Sequence, residues 1–240
     1  MEESSGSDKF AKSESWKIFD AISPNYDRLN RILSAGQDMR WRRAMIRFLP
    51  QEKGILVLDL ATGTADVLLS ICKMRKDIGQ GLGLDLSDKM LNLGLRKVAA
   101  QGLTGKILLR NGDAQDIPNP DATFSAVTMA FGIRNVPDPL KALKEMHRVL
   151  KKGGRAIILE FSLPANPLVR WLDLLYLRHL LPLVGFAFSG NYQAYKYLNE
   201  TIEVFPCGKK FLDLMRQAGF GRLEAHPLFF GAATIYVGEK

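Results

Sequence analysis

The feature that most constrains this chain is an alternation of apolar strand-like runs and helical segments over residues 55–162. Residues 55–60 follow Gly54 and are apolar almost throughout, which is typical of a strand buried on both faces. The predicted strands are 55–60, 80–86, 106–111, 123–130 and 155–162, with helices over 66–76, 88–101 and 138–150 and a turn over 151–154 before the fifth strand. This order predicts a parallel, doubly wound sheet.

The last quarter of the chain has a different pattern. Residues 194–205 and 207–218 have helical spacing, and two short strand-like runs follow at 222–229 and 233–237. Those runs are too close for a helical crossover, so we predict an antiparallel hairpin. A parallel core closed in this way resembles the class I S-adenosylmethionine-dependent methyltransferases. Their fold is α/β and Rossmann-like, with a mixed seven-stranded sheet whose last strand is antiparallel.

The length of 240 residues fits one methyltransferase domain over residues 9–240, after a mobile polar tail over residues 1–8. Apolar spacing predicts an N-terminal helical cap over 9–49 and a helical insertion over 166–206. Charges interrupt its most apolar part, so no membrane-spanning helix is predicted. We interpret the insertion as facing the substrate or a membrane surface. The alternative is a segment of the core or of a dimer interface.

Acidic, hydroxyl and glycine residues follow the first three predicted strands. The candidate ligand-binding residues are Asp59, Thr62, Gly63 and Thr64 after the first strand, Asp85 after the second, and Asp113 and Ala114 after the third. Ligands of open α/β sheets bind at the carboxyl ends of the strands. The carboxylate of Asp85 suits two ribose hydroxyls, and that of Asp113 suits an adenine amino group. The alternative for Asp66 and Asp85 is helix capping.

Glycine spacing excludes the commonest nucleotide sites. Gly63 is the only glycine between Gly54 and Gly79, so the G-x-G-x-x-G pattern of NAD and FAD sites is missing, as is a P-loop. The pattern therefore supports a ribose and an adenine but no pyrophosphate. The separation of Cys72 from Cys207, together with three scattered histidines, predicts neither a disulfide nor a metal site.

The loop after the fourth strand carries a second cluster of polar residues. Gly132 is followed closely by Arg134 and Asn135. An arginine offers a fixed cationic fork to an oxyanion. The alternative is that Arg134 pairs with Glu160 at the end of the fifth strand. The residues alone leave both interpretations open.

Two longer runs make these motifs specific. FSAVTMAFGIRNV (124–136) and EMHRVLKKGGRAIILEFS (145–162) closely resemble the ubiquinone/menaquinone biosynthesis C-methyltransferases, and the likeness spans about residues 16–238. The resemblance implies that S-adenosylmethionine is the cofactor and that the reaction methylates a ring carbon of a polyprenyl quinol. Demethylmenaquinol is the favoured acceptor. A benzoquinol precursor of ubiquinone, or a different small acceptor, is the alternative.

The resemblance also implies roles for individual residues. Arg134 would stabilise the phenolate form of the quinol, and Tyr26 and Asn135 would complete the catalytic group. Tyr26, with Asp27 and Asn30, would form part of a lid over the quinol. The alternative is that this segment only packs an N-terminal helix.

Some positions depart from the family pattern. The resemblance extends the cofactor contacts to Met90 and Ala130, but some members carry serine at the position of Ala130. Ala65 stands where the family usually has glycine, which we expect to narrow the turn. Phe229 and Phe230 replace a more polar run and are expected to reshape the mouth of the substrate site.

The chain has 33 basic and 25 acidic residues, a net charge of +8. Basic residues are spread along the sequence without a basic tract interleaved with aromatics, so no nucleic-acid partner is predicted. With a polyprenyl substrate, the charge favours a cytoplasmic enzyme bound peripherally to the inner face of the membrane. A homodimer is compatible with the pattern. Two alternatives stay open, namely methylation of a soluble acceptor or RNA, and a cofactor-binding assembly subunit without catalysis.

Overall fold

The computed structural model describes residues 26–183 and 192–240, together with residues 14, 16, 17, 20 and 23; for residues 192–197 it describes the backbone. The predicted tail over residues 1–8 and most of the predicted cap before residue 26 lie outside the described residues. The described part of the cap consists of α1 (Tyr26–Leu33), α2 (Gln37–Met45) and a 3-10 turn at Ile46–Phe48.

The described strands form one seven-stranded sheet, as predicted. They are β1 (Leu56–Leu60), β2 (Gln80–Asp85), β3 (Ile107–Asn111), β4 (Phe124–Ala130), β5 (Leu150–Phe161), β6 (Gly221–Leu228) and β7 (Ala233–Glu239). The order across the sheet is β3-β2-β1-β4-β5-β7-β6. The first five strands pair in parallel, and β7 is antiparallel to both of its neighbours. The predicted C-terminal hairpin is therefore confirmed.

The fifth strand is longer than predicted. Residues 151–154 are not a turn before the strand but part of β5, which begins at Leu150 and pairs with Phe124. The pairing register shifts between Phe124 and Ala126, and Gly153 takes a φ of 75°. A bulge of this kind absorbs the polar, glycine-containing run without ending the strand, because glycine adopts positive φ without a steric penalty.

Helices cover both faces of the sheet. They are α3 (Asp66–Met74), α4 (Asp88–Ala100), α5 (Pro139–Val149), α6 (Pro167–Leu175), α7 (Tyr192–Val204) and α8 (Lys209–Gln217). Strand residues alternate between two buried clusters: Leu58 packs with the α5 and α8 side, and Val57 with the α2 and α3 side. Within the described parts of the chain, each helix is too short or too polar to cross a bilayer.

A third, smaller apolar cluster joins the cap to the predicted insertion. Leu29 of α1 packs with Leu177, Leu181 and Ile202, all of which are buried. Both segments lie above the carboxyl ends of the parallel strands. Tyr26 of α1 lines one cavity with Gly63, three residues past the end of β1, and Leu177 of the insertion lines another with Phe131, which follows β4. The cap and the insertion therefore roof the edge of the sheet where α/β proteins bind ligands.

Candidate active site

The smaller of two adjoining cavities, about 220 Å³, lies at the carboxyl ends of β1, β2, β3 and β4. Six of the residues predicted to hold a cofactor line it, namely Gly63, Asp85, Met90, Asp113, Ala114 and Ala130. Chain folding thus brings together three separate motifs that the sequence predicted to meet. Trp16 and Tyr26 of the cap line the same cavity.

The carboxylate of Asp85 organises one end of this cavity. Its Oδ2 accepts the backbone N–H of Gly63 at 2.8 Å, and its Oδ1 accepts that of Ser87 at 2.9 Å. Burial raises the pKa of Asp85, while these two N–H donors act to lower it. The cap of α4 is Ser87 and the residue before α3 is Ala65, so the helix-capping alternative for Asp85 and Asp66 is wrong.

The turn after β1 leaves room for a ligand. Gly63 has a φ of +55°, and a Cβ added there would meet nothing within 4 Å. This partly exposed turn beside the Asp85 carboxylate therefore leaves its backbone open to close approach by a ligand. Ala65, which is fully buried, also takes a left-handed φ of 65°. The methyl group of Ala65 is thus accommodated in a conformation that favours glycine, the residue that the family usually has there.

Three predicted cofactor residues support the loop from behind rather than line the cavity. Asp59 is buried and accepts hydrogen bonds from Thr62 Oγ1 at 2.7 Å and Thr128 Oγ1 at 2.6 Å. Burial raises the pKa of Asp59 to about 6, against the effect of these hydroxyls. Thr64 Oγ1 donates to Asp27 Oδ1 at 2.7 Å, which ties the loop to the cap.

The larger cavity, about 480 Å³, is mostly apolar and lies between the cap and the insertion. Leu29, Trp41, Phe161 and Leu177 are among the side chains that line it. Three residues line both cavities: Tyr26, Phe131 and Asn135. The two spaces therefore meet where two of the three predicted catalytic residues lie, with Tyr26 on the cap and Asn135 on the loop after β4.

Arg134 lines the larger cavity and is paired within the protein. Its NH1 donates to Glu160 Oε1 at 2.6 Å and to the carbonyl of Phe131 at 2.9 Å. The guanidinium also lies 5.1 Å from the centre of the Phe161 ring. Both members of the ion pair are buried. The alternative interpretation, in which Arg134 pairs with Glu160, is thus confirmed, and the paired arginine still lines the cavity.

A second buried arginine on this wall was missed by the sequence reasoning. Arg42 of α2 donates to Asp38 at 2.7 Å and lies 5.3 Å from the centre of the Phe131 ring. The rings of Phe131 and Phe161 are 4.5 Å apart, so an aromatic pair is flanked by one guanidinium on Arg42 and another on Arg134. The i,i+4 spacing of Asp38 and Arg42 was the available signal, but it equally describes a surface pair.

The comparisons with known proteins agree with this geometry. The sequence model of the ubiE/COQ5 methyltransferase family matches residues 8–240. The chain belongs to this family. The ubiquinone/menaquinone biosynthesis C-methyltransferase UbiE of Geotalea daltonii is 43% identical over 224 residues, which cover 93% of this chain and 95% of the relative. The demethylmenaquinone methyltransferase of Geobacillus kaustophilus is 39% identical over 224 residues, with the same coverage.

Solved structures share the fold of this ubiE/COQ5 family member. An S-adenosylmethionine-dependent methyltransferase from Thermotoga maritima has a TM-score of 0.63 at 20% identity and covers 94% of this chain and 99% of its own. A second, from Methanococcus maripaludis, has a TM-score of 0.62 at 17% identity, with 91% of each chain covered. The predicted family, class I fold, enzyme class and cofactor are confirmed. The protein is an S-adenosylmethionine-dependent methyltransferase.

Proposed function

We propose that this enzyme methylates a ring carbon of demethylmenaquinol held in the larger cavity. The observation that carries the proposal is the junction of the larger, apolar cavity with the smaller cavity, which we call the cofactor cavity. The two meet at Tyr26, Phe131 and Asn135. A hydrophobic ring with an apolar tail fits the larger cavity, and the reacting carbon of that ring would face the cofactor cavity. The relatives named UbiE and demethylmenaquinone methyltransferase support this acceptor class.

The cofactor cavity has donors and acceptors for each part of S-adenosylmethionine. We assign Asp85 to the ribose hydroxyls, Asp113 to the adenine amino group, and the backbone at Gly63 to close contact with the amino-acid end. When bound, S-adenosylmethionine supplies an electrophilic methyl group, so the protein need only orient the acceptor and stabilise its anion. Asp59 is assigned to holding this loop in place through Thr62.

The walls of the larger cavity favour the phenolate of the acceptor. A free phenol has a pKa of about 10, so its anion needs stabilisation at neutral pH. Arg134 and Arg42 place two guanidinium groups on the cavity wall, each paired with a buried carboxylate, so we assign the stabilisation to N–H groups that the pairs leave unused, such as Nε of Arg134. Burial raises the pKa of the Tyr26 phenol, which keeps it protonated and able to donate a hydrogen bond. The ring carbon would take the methyl group as the bond from that methyl to the sulfonium sulfur breaks, S-adenosylhomocysteine would be the leaving group, and the ring proton would pass to water.

An exposed apolar surface adjoins the mouth of the larger cavity. We define this apolar face by the side chains that share exposure and position there: Leu168, Trp171, Leu172, Leu175, Phe229 and Phe230. Leu172, Phe229 and Phe230 also line the cavity, so the face continues into it. Patches of this kind mark interaction sites.

We propose that the apolar face contacts an anionic lipid bilayer. The net charge of +8 favours binding to an anionic membrane surface, and a polyprenyl substrate resides in the bilayer. Phe230 is 79% exposed, and both Phe229 and Phe230 take positive φ values, 43° and 57°. A bulky residue held in this strained region is a mark of a functional position. The strain here presents an aromatic tip at the cavity mouth.

The reaction is tested by following transfer of a labelled methyl group from S-adenosylmethionine to reduced short-tail demethylmenaquinone or to a benzoquinol precursor. We expect labelled menaquinone, and a loss of about 100-fold or more in kcat/KM for Arg134→Met. Arg110→Met, at an exposed arginine on β3, controls for the loss of one positive charge, and an unchanged S-adenosylhomocysteine affinity and far-UV circular dichroism spectrum of Arg134→Met control for loss of the fold. Label in the benzoquinol alone would refute the acceptor. Binding of the cofactor without transfer to either quinol would refute the function.

Membrane contact is tested by sedimentation with vesicles that contain or lack an anionic lipid. We expect the protein to sediment with anionic vesicles and Phe230→Asp to remain in solution. Met74→Asp is the matched control, because Met74 is 54% exposed but ends α3, far from the cavity mouth. Equal loss of binding in both variants, or no binding by the unaltered protein, would overturn the assignment.

A further inference from the structure

A cluster of charged groups joins the cap to the cofactor loop through one lysine of α4. Lys97 Nζ donates to Asp27 Oδ2 and to Thr64 Oγ1, each at 2.9 Å, and it also contacts Asp66. Arg31 of α1 pairs with the other oxygen of Asp66 at 2.7 Å. We call these five residues the Lys97 latch. The latch connects α1, the turn that leads into α3, and α4, which are separated along the chain.

The latch sits one residue away from both ligand sites. Asp27 follows Tyr26, which lines both cavities, and Thr64 follows Gly63, which lines the cofactor cavity. A shift of the Gly63 turn would thus move an acceptor for Lys97, and a shift of Lys97 would move the residue next to Tyr26. The latch is therefore placed to carry a change at one site to the other.

The charged side chains at the centre of the latch are partly buried, so water screens their interactions only in part. The side chain of Asp66 is 12% exposed and that of Lys97 is 28% exposed. Burial acts to raise the pKa of Asp66, but Lys97 and Arg31 outweigh it and hold that pKa below its usual range. An exposed ion pair contributes little, whereas several charges in one partly buried network are strongly interdependent. Loss of Lys97 would remove the cation that Asp27 and Asp66 share and would leave Asp66 paired with Arg31 alone.

We propose that Lys97 is a positioning residue that couples cofactor binding to closure of α1 over the quinol cavity. The proposal rests on the assignment of the two cavities to cofactor and quinol. Bound cofactor fixes the Gly63 turn, the turn fixes Thr64 and Asp66, and Lys97 then holds Asp27 and with it Tyr26. Because coupling between two sites is reciprocal, bound quinol should raise cofactor affinity by the same factor.

The first test needs no quinol. Amide hydrogen exchange over residues 26–33 is measured with and without S-adenosylhomocysteine. We expect the ligand to slow exchange there about tenfold in the unaltered protein, within the usual range of coupling between sites. The effect should vanish in Lys97→Met and return in Lys97→Arg. Arg96→Met is the control, because Arg96 is exposed on the neighbouring position of the same helix. Equal protection in Lys97→Met and the unaltered protein would overturn the proposal.

The second test separates this coupling from a general loss of structure. Affinity for S-adenosylhomocysteine is measured with and without short-tail menaquinone, and steady-state constants are measured for both substrates. We expect Lys97→Met to abolish the mutual enhancement and raise the quinol KM more than the cofactor Kd. Thr64→Val, which removes one acceptor of Lys97, should show a smaller effect of the same kind. An enhancement that survives in Lys97→Met would refute the latch. Failure of methyl transfer in the unaltered protein would refute the proposed function alone, because the exchange experiment does not depend on turnover.

Discussion

The buried carboxylate of Asp59 gives a sharp prediction about stability and pH. Its folded-state pKa of about 6 lies above the ordinary value of 3.8. The folded protein therefore holds this proton longer than the unfolded chain does. Stability from this group is fully present below about pH 4 and is lost as the pH rises to about 6. A gap of roughly two units, at about 1.36 kcal/mol per unit, corresponds to about 3 kcal/mol.

Substitution of Asp59 by asparagine should remove this loss, because the amide has similar shape and no proton to release. Thr62 and Thr128 can each rotate a hydroxyl to match the amide. We expect the free energy of unfolding of Asp59→Asn, relative to the unaltered protein, to rise by about 3 kcal/mol between pH 4 and pH 6 and to stay constant above that. Comparing the two proteins cancels the contributions of carboxylates that both contain.

The assay is denaturant unfolding followed by far-UV circular dichroism at half-unit steps from pH 4 to pH 8, without cofactor. Thr128→Val is a useful companion, because it removes one donor to Asp59 without changing the charge. That variant should raise the pKa of Asp59 further and widen the pH window. The reasoning would be refuted if the difference in free energy of unfolding between Asp59→Asn and the unaltered protein did not change with pH, or fell as the pH rose. Either result would show that the folded state does not raise the pKa of Asp59.

Three other substitutions have clear expected outcomes. Glu160→Gln leaves the buried guanidinium of Arg134 without its charged partner and should lower the free energy of unfolding by about 3–5 kcal/mol in denaturant titrations; a smaller loss in the double variant with Arg134→Met would confirm the pairing as the cause. Asp85→Asn should weaken S-adenosylhomocysteine binding at least about tenfold by calorimetry, because a charged acceptor is lost; an unchanged Kd would contradict the assignment. Leu29→Ala should speed amide exchange over residues 26–33 by about tenfold or more, since it opens the cluster beneath α1; exchange at the original rate would show that other contacts hold the cap.

The positions of the parallel strands along the chain were predictable from sequence, because each strand carries its own apolar run. The prediction of 55–60 differs from the observed Leu56–Leu60 by one residue. The start of β5 was not predictable in this way, because residues 151–154 are polar and rich in glycine. Their inclusion in the strand depends on pairing with Phe124, a contact between distant residues that local composition does not encode.

Part of the site was predictable for a similar reason, since the carboxyl ends of parallel strands always meet. This placed Gly63, Asp85 and Asp113 around one cavity. The direction of the Asp59 side chain was not predictable, because it follows from the register that sets Asp59 beside Thr128 on β4. Lys97 was missed because a lysine late in a helix normally faces solvent, and its partner Asp27 is 70 residues away along the chain.

The position of β7 in the sheet has a consequence for the order in which the molecule assembles. β6 precedes β7 in the chain, but β7 lies between β6 and β5 in the sheet. Among the described strands, β7 is the one sheet neighbour of β6. β6 therefore cannot dock until β7 has found β5, a pairing between residues such as Ile157 and Val237 that are far apart in sequence. Long-range pairing of this kind is slow. During that interval β5 is an open edge, and pulse-labelled amides of β6 and β7 should become protected together, after those of β1 and β4.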